Sequence, residues 1–120
     1  MSVAHDSHNI IVAGTKNKDM VVAVKALEAQ KGGMAIVLDG KVLAAIPLPI
    51  AGLMSDQPAG AVDAAMDELY AKAHDILGVS ADVDVIMTLC FMSLPVIPKL
   101  KLLDTGLFDV EAFDFVPVEL

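Results

Sequence analysis

The strongest constraint on the fold is a pair of apolar runs joined by an aspartate–glycine dipeptide. Met34–Leu38 reads MAIVL, Asp39 and Gly40 follow, and Lys41–Ile46 reads KVLAAI. Asp-Gly is a preferred pair for a two-residue turn, because both residues tolerate the positive φ values that such a turn requires. The pattern therefore predicts an antiparallel β-hairpin. Pro47 should end its second strand, since proline cannot donate to a ladder of hydrogen bonds.

Two segments with helical periodicity flank this hairpin. Asp19–Gln30 and Pro58–Leu77 carry apolar residues at three- and four-residue steps, the spacing that lines one face of an α-helix. Gly32, Gly33 and Gly78 follow these segments, and glycine ends helices because it accepts the left-handed conformation without a Cβ clash. We therefore expect two main helices that pack on the sheet.

Further strands are predicted from β-branched and aromatic runs. Asn9–Gly14 reads NIIVAG and predicts a buried strand, while Ser2–His5 is a candidate short strand. Val85–Leu94 is apolar on both faces, so it fits either a central strand or a buried helix. Phe113–Val118 is a candidate edge strand. The fold class predicted for residues 1–120 is α/β or α+β, a single domain with a mixed β-sheet and two main helices packed on it.

Composition excludes several classes of protein. More than half of the chain is apolar, which argues against disorder. The net charge of −8 repels phosphate backbones and argues against nucleic-acid binding. The long uncharged stretches Val42–Ser55 and Val85–Val96 contain proline and are shorter than the roughly 20 residues that span a bilayer. Cys90 is the single cysteine, so no internal disulfide can form, and we expect a reducing, cytoplasmic compartment.

The most reactive cluster in the sequence is His5, Asp6, Ser7 and His8. A metal site would need three or four ligands, and the spacing of His5 and His8 places them on opposite faces of an extended segment. A Ser-His-Asp hydrolase would need a G-x-S-x-G turn, which the sequence lacks. The open alternatives are a polar turn bonded to backbone and a loop that faces a substrate.

Several longer strings resemble one known family. Ser2–Thr15 reads SVAHDSHNIIVAGT, Leu48–Asp56 reads LPIAGLMSD, Leu94–Pro98 reads LPVIP and Gly106–Asp109 reads GLFD. In this order they resemble the C-terminal domain of bacterial adenine deaminases over essentially the whole chain. The resemblance implies a parent enzyme of the amidohydrolase superfamily, which hydrolyses adenine to hypoxanthine and ammonia with a metal-activated water.

The resemblance also implies that the chemistry lies outside this segment. In the family the metal, manganese or iron, is bound by a β/α barrel that precedes the present domain. The H-x-H string of that barrel is absent here, so no metal ligand and no catalytic residue is carried over. We expect no cofactor in this chain and no deaminase activity from it alone, with the barrel as its partner and adenine as the ligand of the whole enzyme.

The role expected for the polar cluster follows from the same resemblance. We expect His5, Asp6, Ser7, His8 and Asn9 to lie near the substrate, where they help to close the purine site or orient a water. Family members extend this domain upstream with further strand-like sequence, and without it an exposed sheet edge would favour a homodimer. The alternative is a non-catalytic binding or oligomerisation module.

Overall fold

A computed structural model describes residues 1–118 and shows three helices and five short strands. The helices are α1 (Asn17–Ala29), α2 (Ala59–Ala71), which continues as a π-helical turn over Lys72–Ile76, and α3 (Val85–Cys90). The strands are β1 (Gly33–Leu38), β2 (Lys41–Pro47), β3 (Leu100–Leu103), β4 (Gly106–Asp109) and β5 (Asp114–Val116). No helix in this part of the chain has the length and apolar character needed to cross a bilayer. Glu119 and Leu120, the end of the predicted tail, lie outside the described residues.

The predicted hairpin is confirmed, and helix α1 is bonded to its turn. β1 and β2 pair antiparallel, and Asp39 and Gly40 both adopt positive φ, at 50° and 77°. The Asp19 carboxylate, in the first turn of α1, accepts hydrogen bonds from the backbone N–H groups of Asp39 (3.1 Å) and Gly40 (2.7 Å). Lys16 pairs with Asp39 at 2.5 Å and lowers the pKa of that carboxyl. The turn is therefore fastened to the start of the helix.

Both predicted helices are confirmed, with small differences at their ends. The segment predicted at Asp19–Gln30 forms α1, and the segment predicted at Pro58–Leu77 forms α2 and the π-helical turn. Apolar side chains from the hairpin, the residue after it, α2 and the π-helical turn form a buried cluster, which consists of Ile36, Ile46, Leu48, Leu69 and Ala73. Burying a leucine or isoleucine side chain contributes about 1.5–3 kcal/mol, so this cluster stabilises the packing of α2 on the hairpin.

The α+β alternative of the predicted fold class is confirmed, but the strands do not form one mixed sheet. β1 and β2 form one antiparallel sheet, and β3, β4 and β5 form a second in that order. Only two residues separate β3 from β4 and four separate β4 from β5, which allows hairpins and excludes the long crossover that parallel strands need. β5 occupies the edge position predicted for Phe113–Val118, whereas β3 and β4 were not predicted.

The strands predicted at Asn9–Gly14 and Ser2–His5 are absent from the structure. Asn9–Gly14 forms no ladder, and its hydrogen bonds to the backbone of other described residues all involve Ile11. The Ile11 N–H donates to the Met1 carbonyl (2.9 Å), and the Met1 amino group donates to the Ile11 carbonyl (2.7 Å). A β-branched sequence becomes a strand only beside a partner strand, and none lies beside this segment in residues 1–118.

The ambiguous segment Val85–Leu94 begins as a helix, which confirms the helical alternative for Val85–Cys90. Asp84 explains this choice, because its carboxylate accepts hydrogen bonds from the N–H groups of Ile86 (3.1 Å) and Met87 (2.9 Å). Such an N-cap satisfies donors that a helix leaves unpaired at its start. The helix is only partly buried, unlike the fully buried segment predicted.

Ser2 connects three separate parts of the chain. Its hydroxyl accepts a hydrogen bond from the Gly33 N–H (2.7 Å) and donates one to the Gly52 carbonyl (2.6 Å), while its own N–H donates to the Gly33 carbonyl (2.8 Å). Glycine is needed beside this hydroxyl, since a Cβ on Gly32 would lie 2.5 Å from the Gly52 Cα. Ser2 therefore joins the N-terminal segment to β1 and to the loop after β2.

We expect Ser2→Ala to lower the free energy of unfolding by about 1–3 kcal/mol, because the buried Gly33 N–H and Gly52 carbonyl each lose a partner. Urea unfolding followed by circular dichroism measures this change. Ser80→Ala is the matched control, since Ser80 is exposed and bonds only within its own turn. Equal stability of the two variants would show that Ser2 has no such connecting role.

Candidate functional site

The polar segment predicted as a site forms the tip of a closed loop. The two hydrogen bonds between Met1 and Ile11 close its base. Ala4 is completely buried, and its carbonyl accepts a hydrogen bond from the His8 N–H at 2.6 Å. The structure places all five predicted site residues together at this tip. Four of them are exposed and Asn9 is half-buried; the exposed four are His5, Asp6, Ser7 and His8.

The C-terminal end of α3 fixes this loop to the body of the domain. The His5 N–H donates to the Cys90 carbonyl (2.8 Å), and the His5 ring meets the Phe91 ring edge-to-face with centroids 5.4 Å apart. The hydroxyls of Ser7 and Ser93 lie 2.9 Å apart. Ser93 is almost completely buried, so its hydroxyl needs this partner. The loop therefore has a defined position.

Hydrogen bonding divides the loop into anchoring and available side chains. The Ser7 hydroxyl donates to the Asn9 side-chain carbonyl (3.0 Å) and so accepts from Ser93. Ser7 and Asn9 are thus occupied within the domain. The side chains of His5, Asp6 and His8 make no hydrogen bond to any other residue within 1–118. These three side chains are exposed and their polar atoms are available for a ligand or a partner domain, while the His5 ring also packs on Phe91.

His8 adopts a left-handed backbone conformation, with φ of 51°. This conformation costs a residue with a Cβ about 1–2 kcal/mol. The hydrogen bond from the His8 N–H to Ala4 and the anchoring of the loop on α3 offset that cost. The same conformation occurs at Lys31, Asp39, Ala51 and Phe113, so it does not by itself distinguish this loop from other turns of the domain.

The available side chains do not fit a manganese or iron site. Such a site needs at least three nitrogen, oxygen or sulfur ligands around one point. Across residues 1–118 no three His, Cys, Asp or Glu side chains are close enough to hold an ion together. His5, Asp6 and His8 are neighbours in sequence, yet they do not meet that condition.

A second polar cluster lies at the opposite end of α3. The Tyr70 hydroxyl donates to the Asp84 carboxylate (2.8 Å), which also caps the helix. The Tyr70 and His74 rings stack with centroids 6.1 Å apart, and His74 Nδ1 lies 3.0 Å from the Val79 carbonyl. Desolvation, together with the hydrogen bond to Asp84 and its charge, raises the pKa of Tyr70 to about 12. This cluster fixes the start of the helix whose other end holds the loop.

Sequence reasoning missed the side chains that support the site. Asp84 had a local sequence signal that was not used, and Ser93 had no local signal. An aspartate immediately before an apolar run is a helix-start signal, so Asp84 was accessible to prediction. Ser93 lies 86 residues from Ser7 in the chain, and no local pattern indicates that contact.

The fold and the site define a small α+β domain that presents one anchored polar loop. The chain belongs to the family described as the adenine deaminase C-terminal domain, whose model matches residues 1–114. Over 119 residues it is 57% identical to "Adenine deaminase 2" of Desulfotalea psychrophila, covering 99% of this chain and 21% of that protein. It is 54% identical to "Adenine deaminase" of Nitratidesulfovibrio vulgaris over 98% of this chain and 20% of that protein. The chain thus spans about one fifth of the length of these relatives.

Tyr70 provides a direct test of the cluster that holds α3, because it is the only tyrosine and the chain has no tryptophan. We expect its absorbance at 295 nm to titrate at a pH near 12. Asp84→Asn should lower this pKa, since it removes a negative charge that disfavours the tyrosinate.

Asp82→Asn is the control, because Asp82 is exposed and accepts from Ser80, whereas the Tyr70 hydroxyl donates to Asp84. Since the pKa is raised in the folded state, stability should decline as the pH rises from about 10 through 12. Circular dichroism over the same pH range identifies the folded fraction. An unchanged titration in folded Asp84→Asn would contradict the assignment.

Proposed function

We propose that this chain is the C-terminal domain of an adenine deaminase, and that the His5–Asn9 loop faces the purine site of the whole enzyme. The observation that carries the proposal is the anchored loop with three available polar side chains. Membership of the adenine deaminase C-terminal domain family supports the parent activity. The proposal assigns the loop a role in binding and orientation and leaves the chemical step to another part of the polypeptide.

The chemistry of the available groups suits the edge of a purine. A neutral imidazole carries one hydrogen-bond donor and one acceptor, and a carboxylate carries acceptors only. Adenine offers ring nitrogens as acceptors and an exocyclic amine as donor, so His5, His8 and Asp6 complement it in type. Because the loop is already ordered by its bonds to α3, binding a ligand there would cost little additional conformational entropy.

The remaining properties of the parent enzyme are part of the same proposal. The hydrolysis of adenine to hypoxanthine and ammonia would take place on the barrel, in the cytoplasm, as a step of purine metabolism. Manganese or iron would be bound there, since residues 1–118 offer no group of three ligands. For the present chain, the proposal requires only that its loop reaches the mouth of that site.

A second candidate function is assembly, and the C-terminal sheet favours it. Phe113 is 78% exposed and Phe115 is 51% exposed, and both rings pack edge-to-face on the buried Phe108. Leu100 and Leu102 of β3 are also exposed, but on the opposite face of the sheet. Exposed aromatic side chains grouped around one buried ring are typical of a contact surface. The face that carries Phe113 and Phe115 would support the expected homodimer or packing against the barrel.

Exchange of the domain into a relative tests the proposed role of the loop. The C-terminal domain of the Desulfotalea psychrophila relative is replaced by residues 1–120, and adenine deamination is measured for this chimera. We expect His5→Gln and His8→Asn each to lower kcat/KM for adenine about tenfold, the equivalent of roughly 1.4 kcal/mol or one hydrogen bond. Asparagine is chosen at position 8 because it tolerates the left-handed conformation.

Lys31→Asn is the matched control, since Lys31 is also exposed and left-handed, with φ of 62°. It should leave kcat and KM unchanged. Unchanged kcat and KM in both histidine variants would reject a substrate-facing loop and favour the assembly function. Adenine deamination by the 120-residue chain alone would reject the view that the chemistry lies on a separate barrel.

A further inference from the structure

A large apolar groove opens beside β1. Its volume is about 550 Å³, and aliphatic and methionine side chains make up most of its lining. The residues that line it come from the N-terminal segment, α1, β1 and the stretch from Leu69 to Met92, and they include Met1, Ile11, Val12, Ala23, Leu27 and Ile36. A groove of this size and character would be unfavourable if left in contact with water.

One side of the groove is a strand with a free edge. β1 pairs with β2 on one side only. On its other side, Gly33 exchanges hydrogen bonds with Ser2. Among the residues described, the backbone groups of Ala35–Leu38 form backbone hydrogen bonds only within the β1–β2 pair. These unpaired groups form a template for another strand.

Another part of the groove's lining is a segment with the same deficit. Val12–Thr15 lines the groove and forms no strand. Its backbone groups make no hydrogen bond to backbone anywhere in residues 1–118. This segment overlaps Asn9–Gly14, whose β-branched sequence predicted a buried strand. Met1 bonds to Ile11 and Ser2 bonds to Gly33, so the start of the chain lies between two backbones that each lack a further β partner.

The position of Met1 indicates where the partner would come from. Met1 lines the groove, is only 8% exposed, and donates from its amino group to the Ile11 carbonyl at 2.7 Å. Burial lowers the pKa of this amino group to about 6, because a charge is unfavourable there. A peptide N–H at the same place would make the same bond without a charge. Polypeptide continuing upstream from Met1 would begin at the groove.

We propose that, in the full-length enzyme, a β-strand from the polypeptide upstream of Met1 occupies this groove between Val12–Thr15 and β1. The inference rests on the proposed function, since it requires the chain to be the C-terminal fifth of a longer protein, as the lengths of its relatives imply. The strand would contribute apolar side chains to the groove and hydrogen bonds to both edges. The hairpin would then become part of a larger sheet.

A second copy of the chain is the competing occupant, and the geometry argues against it. A second copy could offer the unpaired edges of β2, β3 or β5, but only at the concentration of free protein. A strand connected to Met1 is held beside the groove by its own chain, because Met1 is buried there and bonded to Ile11, and this tethering gives it a much higher effective concentration.

Amide hydrogen exchange compares the 120-residue chain with the full-length chimera described above. We expect the amides of Val12–Thr15 and the outward-facing amides of β1 to exchange at least about 100-fold more slowly in the chimera. Equal exchange in the two proteins would overturn the inference. So would a dimer of the 120-residue chain that protects the same amides, measured by light scattering and by exchange at two concentrations.

A substitution in the wall of the groove should have opposite effects in the two proteins. Ala23 lies on α1 and faces the groove. In the 120-residue chain Ala23→Leu should leave the melting temperature unchanged or raise it, because the added methyl groups fill empty space. In the chimera the same change should speed exchange of the β1 amides about tenfold or more, because it crowds the inserted strand.

Ala64→Leu is the matched control, since Ala64 is exposed on α2 and lies away from the groove. It should change neither the melting temperature of the 120-residue chain nor the exchange of the β1 amides in the chimera. If Ala23→Leu changes the exchange rate of the β1 amides equally in the two proteins, the groove is not filled by the upstream strand. Adenine deamination is assayed in parallel. An active chimera with an unprotected groove would reject this inference alone, and an inactive chimera with a protected groove would reject only the proposed function.

Discussion

The arrangement of this domain depends on one buried hydroxyl. Ser2 accepts from the Gly33 N–H and donates to the Gly52 carbonyl, so three chain segments meet at a single side chain. Each of these backbone groups would lose its partner if the hydroxyl moved, and an unpaired buried polar group is costly. The path of residues 1–11 is set at this point. That path then determines where the polar loop lies and which wall of the groove it forms.

The hairpin turn and the two long helices could be predicted because their structure depends mainly on residues close together in sequence. The Asp39-Gly40 turn and the amphipathic periodicity of the two long helices depend on neighbouring residues, and all three were confirmed. The Asp84 cap was an equally local signal that would have resolved Val85–Cys90 as a helix. The strand predicted at Asn9–Gly14 failed for a different reason. Its sequence has the required propensity, but a strand also needs a neighbour, which residues 1–118 do not supply.

The candidate site was likewise predictable only where it depends on neighbouring residues. His5, Asp6, Ser7, His8 and Asn9 were predicted as one cluster because they are adjacent in sequence, and they do lie together at one turn. What positions them could not be predicted, since the partners Cys90, Phe91 and Ser93 follow more than 80 residues later. Contacts at that separation depend on how the helices pack on the hairpin. Their role at a purine site remains a prediction.

The groove and the loop share a structural element, which links assembly of the domain to the order of its site. The Met1–Ile11 hydrogen bonds close the base of the loop, and both residues line the groove. A strand that filled the groove would bury this base and make it harder to open, because local opening would then expose more apolar surface. The position of His5 and His8 would become better defined. Upstream polypeptide would therefore support the proposed purine site without touching the ligand, through the loop alone.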